Sequence, residues 1–233
     1  VLGKDSFWEI VLITLKMAAL NLVFTFGIAC IFALMATNKV KFSKFYQTMY
    51  ALPMAIASSP AAAIFLFIYR QKNGLLNEFL GLGEISWTTT MPYATWAVVI
   101  MTVWMHIGVS FIFLLVGFRN VPEDLLESAY LDGAGPFRRA LKILIPLASP
   151  QIFFVIFLNI TASFRAFGQI KLLTSGGPNG STTTLAVLSY KEAFIKHNFG
   201  SGAAVTTIWM ILMILFVFLY HYHFVLKHFQ FLY

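Results

Sequence analysis

Long apolar runs constrain this chain more than any other feature. Five stretches of about twenty or more mostly apolar residues lie approximately at 10–37, 48–69, 93–117, 147–167 and 203–225. A helix needs roughly 20 such residues to cross about 30 Å of hydrocarbon. The runs are continuous, whereas strands of a membrane barrel alternate between apolar and polar residues. The sequence therefore predicts an all-α, polytopic transmembrane helical bundle with five visible spans.

The shortage of charge supports this fold class and excludes others. Only 11% of the 233 residues are charged, whereas 59% are hydrophobic. A soluble domain carries about 25% charged residues, so a disordered chain, a nucleic-acid-binding domain and almost every soluble enzyme are excluded. The single cysteine, Cys30, lies in an apolar run. A lone cysteine in such a place predicts neither a disulfide framework nor a metal cluster.

The basic residues behind the net charge of +7 indicate how the chain is oriented in the membrane. Basic residues concentrate in 38–46, in 118–146 and in the tail around Lys227. By the positive-inside rule these segments are cytoplasmic, and 70–92 and 168–202 are external. Five spans with the tail inside would place the first residue outside. We therefore expect one further span to precede this sequence, giving six in the natural protein.

Some features of the second span and of the outer segments bear on packing. Residues 51–63 are mostly small and include Pro53 and Pro60, which favours an interior helix that neighbours approach closely. Several aromatic residues near the ends of spans fit an interfacial aromatic belt: Trp8, Tyr69, Trp87, Tyr93 and Tyr222. The segment from about 184 to 196 reads as an amphipathic surface helix.

The segment 118–146 is longer than a connection between two antiparallel helices requires. Pro122 followed by two acids predicts a helix start, and two glycines before Pro136 predict its end. A second, basic helix is expected over 137–144. On these features alone, two interpretations remain open: an amphipathic segment on lipid headgroups, or a docking element for a cytoplasmic partner.

A motif in this segment resembles the signature loop of ABC importer permeases. The pattern Glu-x-Ala-x-x-x-Gly, followed after nine residues by Ile-x-x-Pro, is present as Glu127, Ala129, Gly133, Ile143 and Pro146. The family usually has alanine at the position of Ser128 and leucine at the position of Ile145, and both differences are mild.

Further short motifs resemble the sugar-type branch of these permeases, which includes maltose, multi-sugar and glycerol-3-phosphate systems. The chain is most similar to the glycerol-3-phosphate permeases, with multi-sugar permeases close behind. The resemblance covers essentially the whole chain except the family's first span, so 1–233 is expected to be one permease domain with its coupling loop at about 118–146. The matching motifs are Ser6–Trp8, Phe45–Gln47, Leu52–Pro53, Ser163–Phe164, Ser175–Pro178, Thr183–Leu185 and Tyr190–Phe194.

The resemblance implies a set of partners and a membrane location. The expected partners are a second homologous permease subunit, two cytoplasmic ATPase subunits and an extracytoplasmic solute-binding protein, assembled in the inner membrane of a prokaryotic cell. The chain has no phosphate-binding Gly-x-x-x-x-Gly-Lys-Ser/Thr loop. It is therefore expected to be a transport subunit rather than an enzyme, with no cofactor of its own and no nucleic-acid partner, while its ATPase partners use ATP and magnesium.

The contact core toward the ATPase is expected at Glu127, Ala129, Asp132 and Gly133. Gly133 would permit either a tight turn with positive φ or a close backbone approach, and a side chain there would clash. Ala129 is small and permits close approach, and Glu127 would cap a helix or pair with a basic group of the partner. Arg138 and Arg139 have a simpler interpretation as anchors at lipid headgroups.

Polar groups inside a span are costly and mark a substrate path by default. The alternative for each is a hydrogen bond between helices or back to its own helix. The candidate path residues are Ser59, His106, Ser110, Asn159 and Ser163.

Two rival functions remain at this stage. An intramembrane enzyme would need a pair such as His106 and Ser110, which lie one helical turn apart. A channel would conduct without ATP, and the long coupling-type loop argues against it. The expected function is translocation of a sugar or sugar-related polar solute, such as an oligosaccharide or glycerol-3-phosphate, delivered by an external solute-binding protein.

Overall fold

The computed structural model describes residues 5–37 and 43–230, and this part of the chain consists of helices and the turns that connect them, without a strand. The basic loop residues Lys39 and Lys41, which entered the orientation argument, lie outside the described residues. The helices are α1 (Asp5–Thr37), α2 (Ser43–Ala51), α3 (Ser58–Ile68), α4 (Leu75–Leu80), α5 (Tyr93–Arg119), α6 (Glu123–Leu131), α7 (Pro136–Arg139), α8 (Ile145–Leu147), α9 (Ser149–Phe164), α10 (Gly168–Leu173), α11 (Leu185–Tyr190) and α12 (Phe199–Gln230).

Short π-helical and 3-10 turns extend some of these helices. A 3-10 turn, Leu52–Ala55, follows α2, and a π turn, Ala140–Leu144, joins α7 to α8. A second π turn, Lys191–Ile195, continues α11. The predicted surface helix over 184–196 is therefore present.

Three helices in the described ranges are individually long and apolar enough to cross a membrane: Ser6–Thr37, Tyr93–Arg119 and Phe199–Tyr222. Two further spans are bent pairs. Gln47–Ala55 and Ser58–Ile68 meet at 108°, and Pro136–Leu147 and Ser149–Phe164 meet at 77°. Counting each pair as one span gives five, at the positions that the apolar runs predict.

The second span differs from the single interior helix that its composition favours. The chain breaks at Ala57, which is extended with φ −66° and ψ 158°. Pro60 lies in the first turn of α3, where its missing N–H removes no helical hydrogen bond. The prolines therefore fit a broken span better than a continuous one.

Packing contacts divide the chain into two compact units. The first comprises the described residues of Val1–Leu22, Ile56–Val103 and Ile160–Tyr233, and the second comprises those of Val23–Ala55 and Trp104–Asn159. The expectation of one permease domain over 1–233 remains a prediction.

Each unit has its own core. In the first, Phe7, Val11, Leu185 and Val205 are buried together. The Thr14 hydroxyl of α1 accepts a hydrogen bond from the Leu185 N–H at 2.9 Å, which ties α1 to the start of α11. The core of the second unit is formed by Ala29, Ala33, Phe111, Leu114, Leu115, Phe118, Val121, Leu144, Ala148 and Val155.

Small residues permit close helix contact within the first unit, as their composition predicts. Ala61 and Ala62 of α3 are buried, and α10 packs against α3. A Cβ atom added at Gly168 would lie 2.9 Å from the Ser58 Oγ atom. The glycine at 168 therefore fits the approach of α10 to α3.

The external segment 70–92 is organised around a buried amide. The Asn77 side-chain N–H groups donate to the carbonyl oxygens of Arg70, Gln71 and Ile85 at 3.3, 3.2 and 2.8 Å. The Trp87 indole N–H donates to the Asn77 Oδ1 atom at 2.7 Å.

The aromatic residues of this segment correct the prediction of an interfacial belt at Tyr69 and Trp87. Both side chains are buried, with their rings stacked 5.9 Å apart. The Tyr69 hydroxyl donates to the Ala97 carbonyl at 3.0 Å. Their polar atoms are used inside the protein rather than at the lipid–water boundary.

We predict that Asn77→Leu loosens the external segment. Three carbonyl groups and the Trp87 N–H would lose a partner, and leaving a buried polar group unpaired costs about 1–3 kcal/mol. Trypsin should then cleave faster after Arg70 and Lys72. Phe79→Ala, at a side chain 87% exposed on the same helix, is the control and should leave the cleavage rate unchanged. Equal cleavage of the Asn77→Leu variant and the parent would contradict the role of this amide.

Candidate coupling segment and polar span residues

The segment between α5 and α9 folds as two helices that meet at a glycine turn. Helix α6 begins at Glu123 after Pro122 and ends at Leu131. The second helical stretch begins at Pro136 and continues to Leu147. Pro136 occupies its first helical position, directly after the extended Gly135. The predicted start, turn and second helix are therefore present, with the second helix one residue longer at its start and three at its end.

The turn is a Schellman motif, which explains the spacing of Ala129 and Gly133. The Gly133 N–H bonds to the Tyr130 carbonyl at 3.0 Å, and the Ala134 N–H bonds to the Ala129 carbonyl at 2.9 Å. Gly133 has φ +77°, as predicted. A Cβ atom there would meet nothing within 4 Å, so the predicted clash does not arise within this chain. Backbone conformation, rather than space, restrains this position.

The segment is anchored by apolar residues that belong to the core of the second unit. Val121 and Leu144 are buried in that core, and Leu126, Ile143 and Ile145 pack against it. The motif residue Ile143 therefore serves as an anchor for the turn.

The motif residues expected to contact the ATPase lie on the outside. Glu127, Asp132 and Gly133 are exposed, and Ala129 is half-buried. The apolar side chains of Leu131 and Phe137, on the two sides of the turn, are 84% and 77% exposed. The arrangement offers a mixed apolar and acidic surface while its other face holds it to the protein.

An aromatic contact joins the two short helices. The Arg139 guanidinium lies over the Tyr130 ring, with its Cζ atom 5.4 Å from the ring centroid. Such a cation–π contact stabilises partly exposed sites modestly. Arg138 is exposed, and its interpretation as a headgroup anchor remains a prediction.

Two candidate path residues of the second unit hydrogen-bond to each other. Ser110 of α5 and Asn159 of α9 are buried, and the Asn159 Nδ2 atom donates to the Ser110 Oγ atom at 2.9 Å. The same amide donates to the Val155 carbonyl at 2.8 Å. The Ser110 hydroxyl donates to the His106 backbone carbonyl at 3.2 Å. A hydrogen bond between helices is the alternative to a place in the substrate path for these two residues.

The other candidate path residues differ in how far their side chains are buried. His106 is half-buried in α5, Ser59 is exposed at the start of α3, and Ser163 is buried near the end of α9. Asn21 of α1 is also buried, and its Oδ1 atom has no hydrogen-bond partner among the described residues. The five-residue path remains a prediction.

Sequence reasoning did not predict the hydroxyl network of the external turn 174–184. Thr174 and Thr182 share a hydrogen bond of 2.7 Å, and Thr182 bonds to the Gly177 carbonyl at 2.9 Å. Thr183 bonds to the Gly176 carbonyl at 2.9 Å. The signal was the cluster of threonines after a glycine-rich turn, which typically hydrogen-bond to nearby backbone.

Bent and straight apolar helices, together with a helix–turn–helix segment, are the elements of a polytopic membrane permease, and comparison with known proteins agrees. A family model described as "Binding-protein-dependent transport system inner membrane component" matches residues 29–227. The chain belongs to this family, and it is a membrane-spanning permease subunit of an ABC importer. This confirms the predicted class and the inner-membrane location.

Characterised relatives match over most of the chain. The sn-glycerol-3-phosphate transport system permease protein UgpA of Escherichia coli O157:H7 is 36% identical over 213 residues, which cover 90% of this chain and 71% of that protein. The protein of the same name from Shigella flexneri has the same values. The one from Salmonella typhimurium strain LT2 is 34% identical, with 91% and 71% covered.

Solved structures share the fold. A chain of a bacterial ABC transporter involved in the import of the acidic polysaccharide alginate superposes with a TM-score of 0.85 at 20% identity, covering 96% of this chain and 80% of that one. A chain of a bacterial alginate ABC transporter in complex with alginate pentasaccharide-bound periplasmic protein gives 0.84 at 20% identity, with 94% and 78% covered. These likenesses confirm the predicted helical permease fold.

We predict that the Ser110–Asn159 bond stabilises the second unit. Removing either partner, with Ser110→Ala or Asn159→Ala, should lower the thermal stability of the purified complex. The double variant should show a coupling of about 0.6 kcal/mol, the mean for hydrogen bonds between membrane helices. Additive losses of stability together with a change in solute affinity would instead place the pair in the substrate path.

Proposed function

We propose that this permease passes a sugar or sugar-related polar solute across the membrane, received from an external solute-binding protein and driven by separate ATPase subunits. The 123–147 helix–turn–helix would contact an ATPase subunit through Glu127, Ala129, Asp132 and Gly133. A second homologous permease would complete the translocation path, and ATP with magnesium would be used by the ATPases rather than by this chain.

The observation that carries the proposal is that one face of the helix–turn–helix packs on the core of the second unit while the opposite face is exposed. One face is fixed to the core through Leu126, Ile143 and Leu144, so a push on the outer face would be transmitted to α5 and α9 rather than absorbed by a loose loop. The Schellman turn places Asp132 and Gly133 at the tip. A rigid element with an exposed tip is suited to passing motion between a partner and the spans.

The charge of the exposed face favours a protein partner over the lipid surface. Glu123, Asp124, Glu127 and Asp132 lie on or directly after α6, and all four are exposed. Acidic groups are repelled by anionic headgroups, which attract basic segments. Exposed Leu131 and Phe137 beside these acids favour a cleft with both apolar and basic lining.

The solute class is supported by the relatives. The UgpA proteins are named as permeases for sn-glycerol-3-phosphate, and the shared fold occurs in importers of an acidic polysaccharide. We propose a polar, sugar-related solute for this chain on the strength of the sequence likeness to the first group.

The rival interpretation as an intramembrane enzyme gains no support. The Ser110 hydroxyl bonds to the backbone carbonyl of His106 and accepts from the Asn159 amide. A serine nucleophile requires a base poised to take its proton, whereas this hydroxyl is engaged with a carbonyl and an amide.

We predict that Gly133→Leu impairs coupling whereas Gly135→Leu is tolerated better. A Cβ atom at either position would meet nothing within 4 Å, but Gly133 has φ +77° and Gly135 has φ −63°. A left-handed conformation costs a non-glycine residue about 1–2 kcal/mol. The measurement is ATP hydrolysis stimulated by the solute-loaded binding protein in reconstituted transporter.

A third variant separates backbone strain from contact with the partner. Gly133→Asn keeps a residue that tolerates positive φ while adding a side chain at the tip. Loss of stimulated hydrolysis in this variant would indicate close approach of the ATPase at Gly133. Normal assembly and normal stimulation in Gly133→Leu would overturn the proposed coupling role.

A further inference from the structure

Two lysines of the first unit stand out because the Nζ atom of Lys171 lies over the ring of Tyr190, the residue directly before Lys191. Lys171 is on α10, and Lys191 begins the π turn that follows α11. Both are half-buried, and neither has an ion pair among the described residues. The nearby carboxylate of Glu192 is engaged by Lys196, with an Nζ–Oε1 distance of 2.6 Å. The cluster therefore carries an excess of positive charge.

Lys191 is held by the glycine-rich turn. Its Nζ atom lies 3.5 Å from the Thr183 Oγ1 atom, and a Cβ atom added at Gly176 would lie 2.9 Å from that Nζ. Thr183 is in turn fixed to the Gly176 carbonyl. An ammonium group has three donors, so two remain for a ligand at a site that the turn has already positioned.

Lys171 is positioned by an aromatic ring. Its Nζ atom lies 4.8 Å from the centroid of the Tyr190 ring. The same ring packs against Phe167 and Phe194, with centroid distances of 5.1 and 5.4 Å. This packing restricts the Tyr190 ring, and the ring in turn restricts Lys171 near Lys191, which directly follows Tyr190 in the chain.

The positive charges of Lys171 and Lys191 repel each other. Loss of water around Lys191 lowers the pKa of its ammonium group, and the charges of Lys171 and Lys196 lower that pKa further. Like charges brought together without a counter-ion destabilise the folded protein, and such arrangements concentrate at functional sites. A bound anion would relieve the repulsion.

We propose that Lys171 and Lys191 form a binding subsite for an oxyanion, a phosphate or carboxylate group of the transported solute, beside the turn 174–184. That the group belongs to the solute rests on the proposed function. The half-buried position of Lys191 under the turn favours a small group over a flat protein surface. The subsite would make this permease select for acidic members of the sugar-related class.

The test is protection of these lysines from acetylation. The assembled transporter in phosphatidylcholine nanodiscs is treated with limiting acetic anhydride, and the rate at each lysine is read by mass spectrometry. Inorganic phosphate, sn-glycerol-3-phosphate and a hexuronate are compared with glycerol and glucose at constant ionic strength. At least one of the anions should slow acetylation of Lys191 and Lys171 several-fold and saturably, while exposed Lys72 on the segment 70–92 reacts at an unchanged rate.

Variants distinguish anion binding from a structural role. Lys171→Gln should abolish the protection of Lys191 without lowering the melting temperature, and Lys171→Arg should retain the protection because it keeps the charge over the Tyr190 ring. Lys72→Gln, with the same loss of charge elsewhere on the predicted outer side, should have no effect. In uptake assays with an anionic solute, Lys191→Gln should raise the apparent KM at least about tenfold.

Three outcomes would overturn the subsite. They are the absence of saturable protection by all three anions, equal protection by glycerol or glucose, and protection that appears only when phosphatidylglycerol is added to the nanodiscs, which would assign the lysines to a lipid headgroup. Failure of the proposed transport function would appear separately, as absence of solute-stimulated ATP hydrolysis in the parent transporter, and the acetylation result does not depend on it.

Discussion

The need to satisfy every backbone N–H and C=O group within hydrocarbon determines this fold. Water is absent there, so the chain crosses as helices that bond their own backbone. Helices α1, α5 and α12 do so without a break and are each long enough. The 16 residues of α9 extend only about 24 Å, which is somewhat less than the roughly 30 Å of hydrocarbon, and its bent companion 136–147 turns away from it at 77°.

The breaks in the helices create the two places where function is proposed. The bend between Leu147 and Ser149 turns the chain into the helix–turn–helix whose tip is Gly133. The end of α9 at Phe164 leads into α10 and the glycine-rich turn that holds Lys191 beside Lys171. Both places combine a glycine with positive φ and neighbours that fix it, so each presents polar groups from a rigid frame.

The sequence allowed the spans and the coupling segment to be predicted because their signals are local. Apolar runs mark the spans, and Pro122, Gly133 and Pro136 mark the ends of α6 and α7 through backbone preferences that need no tertiary contact. The same reasoning failed where partners are distant in the chain. The buried side chains of Tyr69 and Trp87 donate their polar hydrogens to Ala97 and Asn77, respectively, and the placement of Lys171 near Lys191 depends on how α10 and α11 pack.

For the candidate site, residue type alone could not separate a substrate contact from a structural bond. Ser110 and Asn159 were proposed for the path because they are polar inside spans, yet they bond to each other across two helices. By contrast, the positive φ that was one of the two roles predicted for Gly133 is present, because a glycine just after the end of a helix commonly adopts the left-handed conformation. The prediction based on backbone geometry was therefore confirmed here, whereas the polarity of the side chains did not predict their hydrogen-bond partners.

The most direct test of the proposed coupling is cross-linking from α6 at the half-buried contact residue Ala129. In a Cys30→Ser background, Ala129→Cys is compared with Thr88→Cys on the segment 70–92 in the transporter assembled with its ATPase subunits. A short bifunctional thiol–amine reagent should join the cysteine at 129 to an ATPase subunit and the cysteine at 88 to none. Absence of an ATPase adduct at 129 in an active, assembled transporter would contradict the account.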